Sequence, residues 1–260
     1  MTRRSASLRL GCVHYLNGRP LIHGWAGPVK FDHPAALCRR LAASELDVAL
    51  VSSFEFLRNP LYAIVDDIAI ACEGPVYSVF VAHRGTIDDV AEISLDPASQ
   101  TSVNLLRCVL AERGLNPRFR GLAAEQGRLG EREGRLLIGD QAIRFRQQYA
   151  CELDFFDLGA EWKRLTGLPF VFALWLIRPE LPNPTRIAQQ LRSLRDANLS
   201  RLDDVIAAAT EFSRHFCASY FRHYLRFTFG EREKEGLLRF RSLCQKDALL
   251  PEGEVLLRLV

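Results

Sequence analysis

From Leu8 to Ile177 short apolar runs alternate with segments of helical period, and this alternation limits the possible folds more than any other feature of the chain. Leu8 to Val13, Val48 to Val51, Tyr77 to Ala82, Ile93 to Leu95, Arg135 to Ile138 and Val171 to Ile177 read as strands. Pro34 to Ala43 places Leu37 and Leu41 on one helical face, with Pro34 where a first turn tolerates it. Thr101 to Glu112 puts Leu105, Cys108, Val109 and Glu112 in register, and Phe155 to Leu158 leads into a helix through Trp162 that stops at Gly167. Strands and helices in this order predict an α/β protein with mostly parallel sheet covered on both faces. From Pro184 to Leu257 the pattern is helical throughout, with helices around Val205 to Phe216 and from Glu231 to Leu249.

The pattern restarts in the middle of the chain, which predicts two α/β lobes, the second inserted into the first. Val79 to His83 and Phe172 to Ile177 are the candidate crossings between them. Lobe 1 is then expected at residues 1–83 and 177–260 and lobe 2 at 84–176, with the C-terminal helices returning to lobe 1 and a small ligand in the cleft. The 34 basic and 31 acidic residues give a net charge of +3, too even for an electrostatic nucleic-acid binder. The 7 cysteines are scattered with no CxxC pair, which predicts buried thiols in a reducing compartment and no zinc site. Met1 to Leu10 has no apolar leader core, and the longest apolar run, Leu168 to Ile177, is strand-sized. A cytoplasmic protein with no membrane and no nucleic-acid partner is expected.

No P-loop, GxGxxG, GxSxG, HExxH or acidic metal loop is present, which argues against a metalloenzyme or a nucleotide-dependent enzyme. Small polar clusters stand instead where strands meet helices, the positions that border a ligand crevice in open α/β sheets. Asn17, in His14-Tyr15-Leu16-Asn17, either caps the following helix or faces a ligand. Ser52-Ser53-Phe54-Glu55 offers hydroxyls at a helix start, as an ordinary cap or as a carboxylate site, with Glu55 as a general-base candidate. Ser99-Gln100-Thr101-Ser102 carries more hydroxyls than one cap needs. Gly74-Pro75 delivers Ser78 into a strand, and Ile138-Gly139-Asp140 ends one; Asp140 either caps a helix or points into the cleft. His14 is either a proton carrier or a partly buried, satisfied histidine. Together these clusters offer hydroxyls and amides rather than strong acids or bases, the chemistry of a site for a small polar anion.

In this order the clusters resemble the chorismate dehydratase family of the futalosine route to menaquinone. The resemblance is carried by V-H-Y-L-N-G-R-P-L from Val13, L-D-V-A-L-V-S-S-F-E-F from Leu46, G-P-V-Y-S-V from Gly74 and S-Q-T-S from Ser99. It continues in L-L-I-G-D-Q-A from Leu136 and D-L-G-A-E-W-K-R-L-T-G-L-P-F-V-F-A-L-W from Asp157. It implies a two-lobed, type II periplasmic-binding-protein-like fold and removal of water from chorismate, giving 3-[(1-carboxyvinyl)oxy]benzoate, without metal or organic cofactor. It also implies catalytic roles for Asn17 and Ser78, and substrate contacts for Ser52, Ser53, Ser99, Thr101, Ser102 and Asp140. The substrate's own side-chain carboxylate is then the expected base, with Glu55 and His14 as alternatives. The related 1,4-dihydroxy-6-naphthoate synthases, a non-catalytic small-anion-binding protein and a transcription-factor effector domain share the implied fold and are the competing readings.

Overall fold

In the computed structural model, which describes residues 8–96, 99–121 and 128–260, the chain begins with strand β1 (Leu10–Val13), a 3-10 turn (Leu16–Leu21), β2 (Val29–Asp32) and helix α1 (Pro34–Ala42). It continues with β3 (Val48–Ser52), α2 (Ser53–Arg58) and β4 (Ala63–Cys72). Then come β5 (Val79–His83), β6 (Glu92–Leu95), α3 (Gln100–Glu112), β7 (Arg118–Gly121), β8 (Glu133–Ile138), α4 (Gly139–Tyr149), β9 (Asp154–Asp157) and α5 (Leu158–Thr166). After β10 (Phe170–Ile177) the chain is helical in α6 (Pro184–Ser200), α7 (Leu202–Ala208), α8 (Arg214–Ser219), a π-helical turn (Tyr220–Tyr224) and α9 (Glu231–Lys246). The first seven residues, on which part of the leader reading rests, lie outside the described residues.

The strands form two sheets, ordered β2-β1-β3-β10-β4 and β7-β6-β8-β5-β9. β10 is buried at every position, as expected of a central strand covered on both faces. Helix α1 buries Pro34, Leu37, Cys38 and Leu41, and α3 buries Leu105, Leu106, Cys108 and Val109 along one stripe. Each such leucine contributes about 1.5–3 kcal/mol by leaving water.

Several expectations are corrected. The sheets are mixed, not mostly parallel: β10 runs antiparallel to β3 and β4, and β5 antiparallel to β8 and β9. Val79–His83 pairs wholly within the second sheet and Phe170–Ile177 wholly within the first, so neither strand is a crossing and the expected boundaries at 83 and 177 fall on the wrong side of both. The passages between the sheets are the turn at residues 73–78 and the segment through α5 to Pro169, where glycine and proline interrupt strand pairing. The last third is broken rather than continuous. Residues 209–213 separate α7 from α8, and beyond α9 the chain bridges back through Leu259 to Ile64 of β4.

Candidate active site

A cleft with about 530 Å³ of atom-free space lies between the two sheets. Its wall includes Tyr15, Asn17, Ser52, Ser78, Ser99, Ser102 and Gly139, and its apolar floor includes Ile70, Val76 and Phe172. Asn17, Ser52, Ser78, Ser99 and Ser102 are thus brought together from sequence positions far apart, while Ser53, Thr101 and Asp140 stand just behind the wall.

Local geometry decides between capping and ligand roles. Asn17 is not a cap: Tyr15 holds the N-cap position of the 3-10 turn, and Asn17 Oδ1 is buried with no hydrogen-bond partner among the described residues. Ser52 holds the N-cap position of α2 but makes no cap bond. Its Oγ accepts from the Thr101 backbone N–H at 3.2 Å and bonds to Thr101 Oγ1, while Thr101 Oγ1 accepts from the Phe54 N–H at 3.1 Å. Two helix starts, one beside each sheet, therefore cap each other reciprocally. Ser53 Oγ donates to the Val171 carbonyl at 2.7 Å, tying this lattice to β10. Ser99 does cap α3, accepting from the Ser102 N–H at 3.2 Å, and its hydroxyl also donates to Ser102 Oγ at 3.0 Å.

On the opposite wall Ser78 is fully buried, and its hydroxyl lies 2.6 Å from that of Tyr220. The turn that presents it is clamped by one carboxylate. Asp157 accepts from the N–H groups of Val76 and Tyr77 at 3.0 and 2.9 Å, and from those of Gly159 and Ala160 at the start of α5 at 3.0 and 3.1 Å. Both passages between the sheets are held by this one side chain, and Tyr77 adopts a left-handed φ of 68° beside it. The passages also touch directly: a Cβ on Gly159 would fall 2.5 Å from the Gly74 carbonyl oxygen.

Gly139 and Asp140 close the cleft on the second sheet's side. Gly139 has φ +62°, and a Cβ there would stand 2.9 Å from the Tyr15 ring, so the aromatic lies flat on bare backbone. Asp140 Oδ1 accepts from the Leu16 N–H at 2.8 Å, a bridge from α4 to the turn that carries Asn17. Burial pushes the Asp140 carboxyl above the usual carboxylate range, against the opposing pull of that N–H.

Neither side-chain base candidate lies on the cleft wall. Glu55 is buried and paired with Arg58 at 2.5 Å. His14 is exposed, its ring 4.6 Å from those of Tyr15 and His33. Trp162 is a core residue whose Nε1 donates to the Pro169 carbonyl at 3.0 Å. Among the described residues no three His, Cys, Asp or Glu side chains converge as metal ligands, all the cysteines are free, and no helix is long and apolar enough to cross a membrane. Tyr220 is the site residue that the sequence reading missed, since a contact across 142 positions leaves no local pattern. Asp157 stands out in the sequence only as the first residue of the D-L-G-A-E-W stretch, which carries no sign of the clamp.

Residues 8–246 match a family described as menaquinone biosynthesis. Over 258 residues the chain is 34% identical to a chorismate dehydratase of Thermus thermophilus, an alignment covering 89% of this chain and 93% of that protein. Among solved structures, protein AF1704 of Archaeoglobus fulgidus superposes with a TM-score of 0.71 at 15% identity, covering 95% of this chain and all of that one. The periplasmic aliphatic sulphonate binding protein SsuA of Escherichia coli superposes with a TM-score of 0.66 at 13% identity, covering 98% of this chain and 97% of that one. These two establish the two-lobed periplasmic-binding-protein-like fold, and the sequence match goes further: the chain belongs to the chorismate dehydratase family of menaquinone biosynthesis.

Proposed function

We propose that the protein eliminates water from chorismate to give 3-[(1-carboxyvinyl)oxy]benzoate, with no metal or organic cofactor. The observation that carries this reading is the near full-length similarity to the Thermus dehydratase. The character of the cleft supports it: hydroxyls, an amide and the start of α3 suit an anionic ligand.

The reaction removes the ring hydrogen at C3 and the hydroxyl at C4, and aromatisation drives it downhill. The lattice of Ser52, Ser53, Ser99, Thr101 and Ser102 is assigned to holding a substrate carboxylate, and Asp140 to holding the cleft closed through Leu16. Asn17 and Ser78 are assigned to the reacting end. The Asn17 amide orients the C4 hydroxyl, and the Ser78 hydroxyl donates to it as the C–O bond breaks. The proton from C3 passes to the substrate's own side-chain carboxylate, whose reach within one molecule gives a high effective molarity. Its C–H electron pair enters the ring, the C4–O pair leaves with the hydroxyl, and that oxygen takes up a proton to depart as water. This choice of base is supported by the absence of any carboxylate or imidazole from the cleft wall among the described residues.

Chelator-treated protein mixed with chorismate tests the whole reading, followed by mass and ultraviolet absorbance. Loss of one water with an aromatic 3-substituted benzoate appearing is the expected result. Chorismate bound unchanged would remove the enzymatic claim, and turnover only on adding back metal would remove the cofactor-free one.

A further inference from the structure

Tyr220 has no exposed surface and stands behind the cleft wall, yet its hydroxyl sits 2.6 Å from Ser78 Oγ, its one hydrogen-bond partner among the described residues. A chain need not bury a phenol to fill this space. The ring stacks on Phe216 at 5.6 Å with 15° between planes and lies 6.5 Å from Tyr224, so phenylalanine would pack as well. The residue opens a single π-helical turn, an irregularity found disproportionately at functional sites.

Two hydroxyls at this distance share one proton between them, and the direction of donation has consequences. A phenol is a far stronger acid than an aliphatic hydroxyl, so Tyr220 donates and Ser78 accepts. The serine's own proton is then directed away from Tyr220, toward the cleft that Ser78 lines. Donation to Ser78 Oγ also polarises that hydroxyl and makes it a better donor in turn. Burial holds the phenol neutral throughout the working pH range by raising its ionisation well above the ordinary tyrosine value.

We propose that Tyr220 is a positioning residue for Ser78, fixing the serine hydroxyl so that its proton faces the departing C4 hydroxyl of the substrate. This rests on the assignment of Ser78 to the reacting end of the cleft. Asp157 fixes the preceding residues of the same turn and the Ser78 N–H donates to the Val76 carbonyl at 2.8 Å, so Ser78 is held at both its main chain and its side chain.

The test is a double-mutant cycle of Tyr220→Phe and Ser78→Ala, reading kcat and KM for chorismate, with near-ultraviolet circular dichroism and Tm to establish native packing. Y220F is expected to lower kcat by about 3–10-fold, the worth of one neutral hydrogen bond, with KM changed less than about twofold. Introduced into S78A, the same change is expected to alter kcat by less than about twofold, because the group it acts through is gone. If S78A is strongly impaired and Y220F keeps wild-type kcat, the positioning role is overturned while the Ser78 assignment stands. Multiplying losses in the double variant would overturn it equally, since Tyr220 would then act elsewhere. Wild-type kcat in S78A would overturn the Ser78 assignment and this proposal with it.

Discussion

On one wall of the cleft the hydroxyls of Ser52, Ser53, Thr101, Ser99 and Ser102 are bonded to one another and to nearby backbone. On the other, among the described residues, Asn17 keeps a buried amide oxygen without a partner, and Ser78 Oγ bonds to Tyr220 alone, which leaves a proton to direct. The first wall is finished before any ligand arrives. It presents donors already fixed in place, at no further ordering cost. The second keeps a buried acceptor to which no described residue donates, the kind of group that a ligand's donor satisfies. A preformed wall that holds and an incomplete wall that reacts are the division of labour this contrast implies.

The largest test of that division is Ser78→Ala. It should lower kcat by about 10²–10³-fold, the effect of deleting one preorganised donor at a developing charge, with substrate affinity nearly retained. Steady-state kinetics alongside calorimetric binding separate the two. A rise in KM with kcat intact would place Ser78 on the holding wall instead.

Thr101→Val is the matching change on the other wall. It keeps the shape but leaves the Phe54 N–H without its acceptor and Ser52 Oγ with only the backbone N–H of residue 101, so it should cost about 1–3 kcal/mol in urea unfolding. KM should rise about fivefold or more while kcat stays within about threefold, on the order of one weakened hydrogen bond from the Ser52 hydroxyl that Thr101 orients. A variant with normal KM and collapsed kcat would erase the distinction between the walls.

How much of this the sequence discloses follows from the range of each interaction. Ser99 capping Ser102 spans three positions, and the hydroxyl-rich helix start announces it. The lattice partners of Ser52 and Ser53, at Thr101 and Val171, lie 49 and 118 positions away. Residue type at strand ends picked out these serines as polar, but only the tertiary fold decides that Ser52 caps another helix rather than its own. Tyr220 lies in the stretch from Tyr220 to Tyr224, to which the family resemblance extends only loosely, and nothing local there points its hydroxyl at Ser78. The strands Val79–His83 and Phe170–Ile177 were found where apolar runs place them, yet their sheet membership was reversed. Direction and partner of a buried strand are properties of the crossover, not of the apolar run.

Asp140 tests whether the bridge between walls carries a cost. Its carboxyl is raised by burial, so in the folded state the neutral form is favoured relative to the unfolded chain. For a raised group the stabilising contribution is fully present below the unfolded carboxylate range and is lost as pH rises through the folded value. Asp140→Asn keeps an oxygen for the Leu16 N–H and removes the charge. Its Tm should exceed that of the native protein by on the order of 2 °C at pH 8, and the gap should close toward pH 4. A gap that widens on acidification would mean that the charged bond to Leu16 outweighs desolvation.

The smallest expected effect falls on Glu55, which sits one residue behind the lattice and would matter greatly if the protein supplied its own base. Glu55 Oε2 is engaged by Arg58 at 2.5 Å, and its charge is felt by the Cys38 thiol, which burial and then Glu55 push up to about 12. Cys38 lies on the buried face of α1, and neither residue is on the cleft wall, so the carboxylate faces α1 rather than the substrate. Glu55→Gln should therefore leave kcat within about twofold, far from the 10²–10⁴-fold that removing a general base costs. The arginine is half exposed and can turn to water when its partner becomes neutral, so little stability is at stake. A collapse of turnover in folded, substrate-binding E55Q would mean that a base reaches the cleft from the preformed wall. Holding and reacting would then belong to the same side of the molecule.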